Sequence, residues 1–316
     1  MVRFLVFLAV VGMLVIACVG GGTGTAMPAT TGLVTALPSP AGVAGTAVVS
    51  PPVAPPTVAV VAPSPSVPPV TRTPRPTATP EPAPVVPATG VTIVQEEPSQ
   101  FELWSPKGQR VFVDVEMPDE LTSPPTAADV LLTTHWHQDH YVQSFIDAFP
   151  GKAINVQEGA LTAGDVKILS IAAGHNEGDP LLPKDGTDYI FIVDIGGIRV
   201  AVFGDLGQEA LTPAQMKALG KVDVATSQLE NMFSYETVEN RKAIAQMTQV
   251  GPAILIPTHF DGLPAARMAM AAWPATTAGR WVTVSRDRLP KATTVLFMGE
   301  LGPAYRKLLG ITTPSW

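Results

Sequence analysis

Residues 134–140 read Thr134-His135-Trp136-His137-Gln138-Asp139-His140, so three imidazoles and a carboxylate lie within six positions. The apolar run Val130-Leu131-Leu132 comes just before them and predicts the end of a buried strand. Residues 141–149 are typical of a short amphipathic helix. Neutral imidazole and ionised carboxylate are the usual ligands of a borderline divalent metal. The stretch therefore predicts a metal site on a strand-to-helix turn, which we prefer to a group of ordinary surface histidines.

The two other histidines of the chain also follow apolar runs. His175 comes after residues 166–171, and His259 ends the run 253–258. Between them, the apolar residues 200–203 lead to Gly204-Asp205. Four predicted strand ends thus carry all five histidines of the chain and two aspartates. Isolated structural histidines would not explain this shared composition.

The order H-x-H-x-D-H, then His, then Gly-Asp, then Thr-His resembles the metallo-β-lactamase superfamily over about residues 90–300. The segments Gly174-His175-Asn176 and Pro257-Thr258-His259-Phe260 are most similar to its ascorbate-phosphate-lactonase-like branch of metal-dependent hydrolases. The resemblance implies an α/β fold, namely a four-layer αββα sandwich.

The resemblance also implies two divalent metal ions, with Zn²⁺ as the first choice and Mn²⁺ or Fe as alternatives. The implied ligands of one ion are His135, His137 and His175, and those of the other ion are Asp139, His140 and His259. Asp205 is the implied bridging carboxylate. A water held between two such cations has its pKa lowered and becomes a hydroxide nucleophile. Asp205 and Asp139 are the candidate catalytic residues, and Asp139 could orient the nucleophile or carry its proton.

Three functions are compatible with this pattern. The first is metal-dependent hydrolysis of an ester, lactone, amide or phosphoester in a small-molecule substrate, with β-lactams as a minor possibility. The second is iron-dependent redox chemistry on oxygen or sulfur, which related folds support. The third is a binding protein without turnover, which we disfavour because every expected ligand position is filled. Fold alone does not choose the substrate.

Candidate substrate contacts lie in two polar stretches that follow predicted strands. The loop after His175 supplies the candidates Asn176, Glu177 and Lys184. The stretch 227–235 supplies Gln228, Asn231 and Tyr235. Solvated loop residues are the alternative for each of the first three. Asp114, at the end of the predicted strand 110–115, is expected to orient a ligand histidine or else to face water.

The N-terminus resembles an export signal. Arg3 precedes an apolar run over residues 4–17, which is short for a membrane span and suits a signal peptide over residues 1–18. Cys18, the only cysteine, follows Ala17 in a sequence that resembles a bacterial lipobox. We expect lipidation at Cys18, membrane anchoring and an extracytoplasmic location. An uncleaved anchor and an ordinary signal are the alternatives.

Composition then changes twice along the chain. Residues 19–88 contain 17 of the 33 prolines and only three charged residues, which predicts a disordered Pro/Ala/Thr/Val-rich linker. Residues 89–316 are long enough for one hydrolase domain with a full core. The formal net charge of -7 argues against nucleic acid as a partner. The oligomeric state stays open.

Within that domain, local patterns predict several elements. Turn residues at 105–108 and Gly196-Gly197 predict two hairpins. Thr212-Pro213 predicts the start of a short helix, with Thr212 as its N-cap. Further helices are expected over residues 236–250 and 264–272.

Overall fold

The computed structural model describes residues 83–178, 187–260, 262–299 and 302–311. The predicted signal peptide, Cys18, most of the linker and Lys184 lie outside the described residues. The strands are β1 (Val91–Gln95), β2 (Phe101–Trp104), β3 (Arg110–Val113), β4 (Val130–Thr133), β5 (Lys152–Asn155), β6 (Gly159–Ala163), β7 (Val166–Gly174), β8 (Thr187–Ile195), β9 (Ile198–Val202), β10 (Val224–Ser227), β11 (Ile254–Pro257), β12 (Ala275–Thr277), β13 (Trp281–Val284) and β14 (Thr294–Phe297). The α-helices are α1 (Gln143–Ala148), α2 (Pro213–Leu219), α3 (Lys242–Val250), α4 (Leu263–Ala272) and α5 (Gly302–Leu309).

The strands form two mixed sheets. One has six strands in the order β13-β1-β2-β3-β4-β5, with β3, β4 and β5 parallel to one another. The other has eight strands in the order β12-β14-β11-β10-β9-β8-β7-β6, and β9, β10, β11, β14 and β12 are parallel within it. The predicted hairpins β2–β3 and β8–β9 are both confirmed.

Three groups of buried apolar side chains fix the order of the layers. The largest lies between the sheets and draws on both, for example Leu103 and Val113 from one and Phe191 and Val202 from the other. The second packs the outer face of the eight-stranded sheet against residues of α3 and α4. The third packs α1 against the outer face of the six-stranded sheet. The layers are therefore helix, sheet, sheet and helix, which confirms the predicted αββα class.

Helix α1 is short, and its position is fixed by apolar packing against the six-stranded sheet. Phe145, Ile146 and Phe149 pack against Phe112 and Leu131 on the sheet. The rings of Phe112 and Phe149 meet edge to face, with centroids 5.9 Å apart. This packing anchors the segment that directly follows the histidine-rich stretch.

One predicted helix is much shorter than expected. Residues 236–250 were expected to be helical throughout, but α3 begins only at Lys242. Glu236 instead pairs with Asn231 in a β-bridge, and Arg241 has a φ of 54°. Thr237 and Asn240 also exchange side chain-to-backbone hydrogen bonds, which compete with helix formation.

The helix predicted from Thr212-Pro213 is confirmed as α2. The Thr212 hydroxyl accepts a hydrogen bond from the Gln215 backbone N–H, and the Gln215 side chain accepts one from the Thr212 backbone N–H. None of the helices formed by the described residues combines the length and apolar character that crossing a bilayer requires.

Candidate metal centre

Four loops that follow strands meet at one end of the two sheets. They follow β4, β7, β9 and β11 and carry His135, His175, Asp205 and His259 respectively. Backbone hydrogen bonds join these loops to one another and to neighbouring strands. Gly207 N–H donates to the Gly174 carbonyl at 2.9 Å, and Tyr189 N–H donates to the Thr134 carbonyl at 3.1 Å. The side chains therefore stand on connected backbone segments.

The first cluster is formed by His135, His137, His175 and Asp205. Each supplies one candidate ligand atom, and these atoms lie within 4.8 Å of one another. Asp205 Oδ2 is 3.5 Å from His135 Nε2, 3.6 Å from His175 Nε2 and 4.0 Å from His137 Nδ1. Only His137 of the four is substantially exposed, with 42% of its side-chain surface accessible. It lies at the mouth of the site.

The second cluster is formed by Asp139, His140 and His259, again within 4.8 Å. The other oxygen of Asp205 faces it: Oδ1 is 3.4 Å from His140 Nε2 and 3.5 Å from His259 Nδ1. The two oxygens of Asp205 are therefore divided between the clusters. This is the geometry that a bridging carboxylate requires.

The donor atoms fit divalent metal ions. Among the described residues, five buried atoms that face the centre have no hydrogen-bond partner: His135 Nε2, His140 Nε2, His175 Nε2, His259 Nδ1 and Asp205 Oδ1. A buried polar atom left without a partner costs about 1–3 kcal/mol. Cations coordinated by imidazole and carboxylate would satisfy all five.

Asp114 orients one of these histidines, as predicted. Its Oδ2 lies 2.9 Å from His140 Nδ1, so Nδ1 carries a proton and Nε2 is the nitrogen that faces Asp205. The same carboxylate accepts hydrogen bonds from the backbone N–H and the hydroxyl of Thr134, both at 2.8 Å. Burial alone would lower the pKa of His140, but the Asp114 carboxylate raises it well above the usual value.

Asp188 is a functional candidate that sequence reasoning missed. It is fully buried, and its Oδ1 lies 3.4 Å from His135 Nδ1. Burial raises its pKa to about 6, although the neighbouring His135 opposes that shift. The available signal was a carboxylate at the start of the apolar run 189–193, directly after a polar loop. A loop-end aspartate in solvent would look the same in the sequence.

The two aspartates of the clusters are held ionised. Burial would raise the pKa of Asp205, but the neighbouring imidazoles of His135, His140 and His175 keep that pKa well below its usual range. A hydrogen bond to His259 lowers the pKa of Asp139 to about 2. The distance between His259 Nε2 and Asp139 Oδ2 is 3.2 Å. Both carboxylates are therefore available as acceptors or ligands at neutral pH.

The predicted substrate contacts occupy different positions. Asn231 lies at the site, where its Nδ2 donates to Asp205 Oδ2 at 2.7 Å. Asn176 is next to His175, with its Nδ2 3.3 Å from His175 Nδ1. Tyr235 is 67% exposed. Glu177, also predicted from the same loop, accepts a hydrogen bond from the Glu209 backbone N–H.

Gln228 is placed differently from the expectation. Its side chain is fully buried, and its Nε2 donates to the Leu206 carbonyl at 2.7 Å and to the Ser234 hydroxyl at 2.8 Å. It has no surface to offer a substrate. Its hydrogen bonds instead connect the loop after Asp205 to the loop that carries Asn231.

A cavity of about 420 Å³ opens beside the second cluster. Asp139, Asn231 and His259 line it and connect it to the two clusters. A cleft of this size suits a small molecule.

Comparison with known proteins agrees with the fold. The family model of the beta-lactamase superfamily domain matches residues 97–259. A solved protein of the metallo-beta-lactamase superfamily from Thermotoga maritima is 22% identical, with a TM-score of 0.51, and the match covers 66% of this chain and 99% of that one. Igni18, a metallo hydrolase from Ignicoccus hospitalis, is 18% identical, with a TM-score of 0.42 and coverage of 58% and 91%. A search of curated protein sequences finds no match.

Proposed function

This chain belongs to the beta-lactamase superfamily, and from that premise we propose that it is a metal-dependent hydrolase with a dinuclear centre. The division of the two Asp205 oxygens between the two histidine clusters carries the proposal. It supports two ions that share one carboxylate, with Zn²⁺ as the expected metal. The bond cleaved is an ester, lactone, amide or phosphoester in a small molecule.

The residues that would hold the ions are those of the two clusters. His135, His137 and His175 serve one position, Asp139, His140 and His259 serve the other, and Asp205 serves both. Divalent ions there supply Lewis acidity and lower the pKa of water, so that hydroxide is available near neutral pH.

The residues of the chain position this chemistry and move its protons. Asp139 lines the cavity, has 53% of its side-chain surface accessible and is ionised at neutral pH. It can therefore accept a proton or a hydrogen bond from a reacting group in the cavity. The Asp114–His140 contact keeps one imidazole in the ligating tautomer, and the Asp188 carboxylate lies 3.4 Å from His135 Nδ1.

Turnover of a substrate panel tests the proposal. The zinc-reconstituted full-length chain is assayed with p-nitrophenyl esters, lactones, bis-p-nitrophenyl phosphate and a chromogenic β-lactam. Lactones are included because of the resemblance to the lactonase-like branch. We expect hydrolysis of at least one class and its loss in His137→Ala, with the far-ultraviolet circular dichroism spectrum unchanged. Equal turnover by His137→Ala and the parent chain would refute the assignment.

We also propose that the chain is an exported bacterial lipoprotein anchored through Cys18. The support is the apolar run before Cys18, the absence of any other cysteine and the Pro-rich segment after it. In a bacterial host, metabolic labelling with a fatty acid should modify the parent chain and not Cys18→Ser, and the variant should leave the membrane fraction. A labelled, membrane-bound Cys18→Ser protein would contradict this.

A further inference from the structure

The cavity beside the second cluster is bordered by two loops. One is the β1–β2 turn, which contributes Glu97 and Pro98, and the other follows β10 and contributes Glu230, Met232 and Phe233. The β1–β2 turn is fixed to the histidine-rich stretch by a hydrogen bond from the Ser99 hydroxyl to the Asp139 carbonyl. If the scissile group lies beside the histidines, the space between these loops receives the rest of the substrate.

The charges on the cavity wall have one sign. Asp139, Glu97 and Glu230 line it, and among the described residues that line it there is neither lysine nor arginine. Glu116 responds to the same negative charge: burial raises its pKa to about 7, and the charges of Glu97 and Asp139 contribute to that shift. An anionic substituent between the two loops would therefore meet carboxylates and neither lysine nor arginine.

Apolar and aromatic groups form the remaining wall. Met232 and Phe233 are exposed, Phe260 is partly buried, and Phe297 and Met298 are buried. Phe233 is 77% exposed, and its ring centroid lies 6.3 Å from that of His137. An aromatic face next to carboxylates is a favourable environment for an organic cation.

From these features we infer that the substrate carries a cationic substituent on an apolar arm, such as an alkyl- or arylammonium group, and that Glu97 and Glu230 select for it. The inference rests on the proposed hydrolase function for the position of the scissile bond. It excludes substrates whose distal part is anionic.

Binding of two probes of opposite charge tests the inference without turnover. Benzyltrimethylammonium and benzenesulfonate are titrated into the zinc-reconstituted full-length chain by isothermal calorimetry. We expect the cation to bind about tenfold more tightly, because two partly exposed carboxylates and one aromatic face contribute. Glu97→Gln/Glu230→Gln should lose most of this preference, and Glu97→Lys should shift it towards the sulfonate. Glu239→Gln, an exposed carboxylate that does not line the cavity, is the matched control and should keep the parent preference.

The same proteins are then assayed with the p-nitrophenyl esters of 4-(trimethylammonio)butyrate and of glutarate. Hydrolysis of the cationic ester in preference to the anionic one, with the preference lost in the double variant, supports both proposals. If the parent chain binds the cation selectively but hydrolyses neither ester, the inference about the cationic substituent is supported and the proposal of ester hydrolysis is contradicted. Equal or tighter binding of benzenesulfonate by the parent chain, or an unchanged preference in the double variant, overturns the inference.

Discussion

Asn231 donates a hydrogen bond of 2.7 Å from its Nδ2 to Oδ2 of Asp205, the carboxylate whose oxygens face both histidine clusters. Its own Oδ1 accepts a hydrogen bond from the Phe233 backbone N–H at 2.9 Å. One amide therefore fixes the rotation of the shared carboxylate and the position of a cavity wall. We therefore expect a change at this residue to affect both metal affinity and the cavity wall.

Removing that amide should weaken metal binding. In Asn231→Ala, Asp205 loses the donor that holds Oδ2, and we expect zinc affinity to fall about 10–100-fold, as for other partners of ligating groups. Competition with a chromophoric chelator measures the change. Met232→Ala is the control for a disturbed loop, because Met232 is 67% exposed and contributes no such bond. Equal affinities in all three proteins would show that Asp205 needs no support from Asn231.

Asp114→Asn should affect the second cluster in particular. Oδ1 of Asp114 accepts the Thr134 N–H, so the amide oxygen must remain there and the NH₂ group must point at His140 Nδ1. That contact favours the tautomer with the proton on Nε2, which cannot ligate a metal. We expect the zinc content to fall from two equivalents towards one. Asp119→Asn, an exposed carboxylate, should retain two. Two tightly bound ions in Asp114→Asn would contradict the orienting role.

Gly204→Ala should destabilise the chain at the site. Gly204 has a φ of 53°, and a Cβ there would lie 2.3 Å from Asp188 Oδ1 and 2.8 Å from Thr134 Cβ. The left-handed backbone alone costs an alanine about 1–2 kcal/mol, and the clash with buried groups adds to it. We expect a loss of at least about 2 kcal/mol in urea unfolding. Gly108 also has a positive φ, but a Cβ there would have no atom within 4 Å. Gly108→Ala should therefore lose only the free energy of unfolding that is due to the left-handed backbone. Equal losses in the two variants would refute the close approach of Gly204 to Asp188.

Glu236 should make stability depend on pH. It is fully buried, and burial raises its pKa from 4.5 to about 7. The unfolded chain therefore loses this proton at lower pH than the folded one, so the stabilisation is complete below pH 4.5 and is lost as pH rises towards 7. The free energy of unfolding of the metal-free chain should fall between pH 5 and pH 8, with a contribution from Glu236 of up to about 3 kcal/mol.

Glu236→Gln should remove that contribution. Gln246 Nε2 donates to Glu236 Oε1 at 2.9 Å, and a glutamine oxygen can keep this bond. Urea unfolding of both proteins at pH 5 and pH 8 measures the difference. A fall of the same size in the variant would assign the pH dependence to other groups.

The sequence predicted the structure well where a residue of a metal-ligand type directly follows an apolar run. Each candidate ligand follows a strand whose apolar run is visible, and the order of the motifs predicted the layer architecture. The helix cap at Thr212 and the hairpin turn at Gly196-Gly197 could also be predicted, because each is formed by residues that are close together in sequence. Such features depend on neighbours in sequence.

Features that depend on distant neighbours could not be predicted. Strands β5 and β6 have weak patterns, because exposed and buried residues mix in them and pairing with β4 and β7 defines them. Gln228 follows a strand as a ligand would, but its amide is satisfied by the loop after Asp205. Asp188 contacts His135 across 53 residues of sequence, and nothing local marks that contact.

Metal content tests the central claim most directly. The full-length chain and Asp205→Asn are purified side by side without added metal, dialysed and analysed by inductively coupled plasma mass spectrometry. We predict close to two equivalents of zinc in the parent chain and a clear loss in the variant, because Asp205 faces both clusters. Iron as the main metal, or no metal in the parent chain even after reconstitution with zinc, would contradict the dinuclear hydrolase.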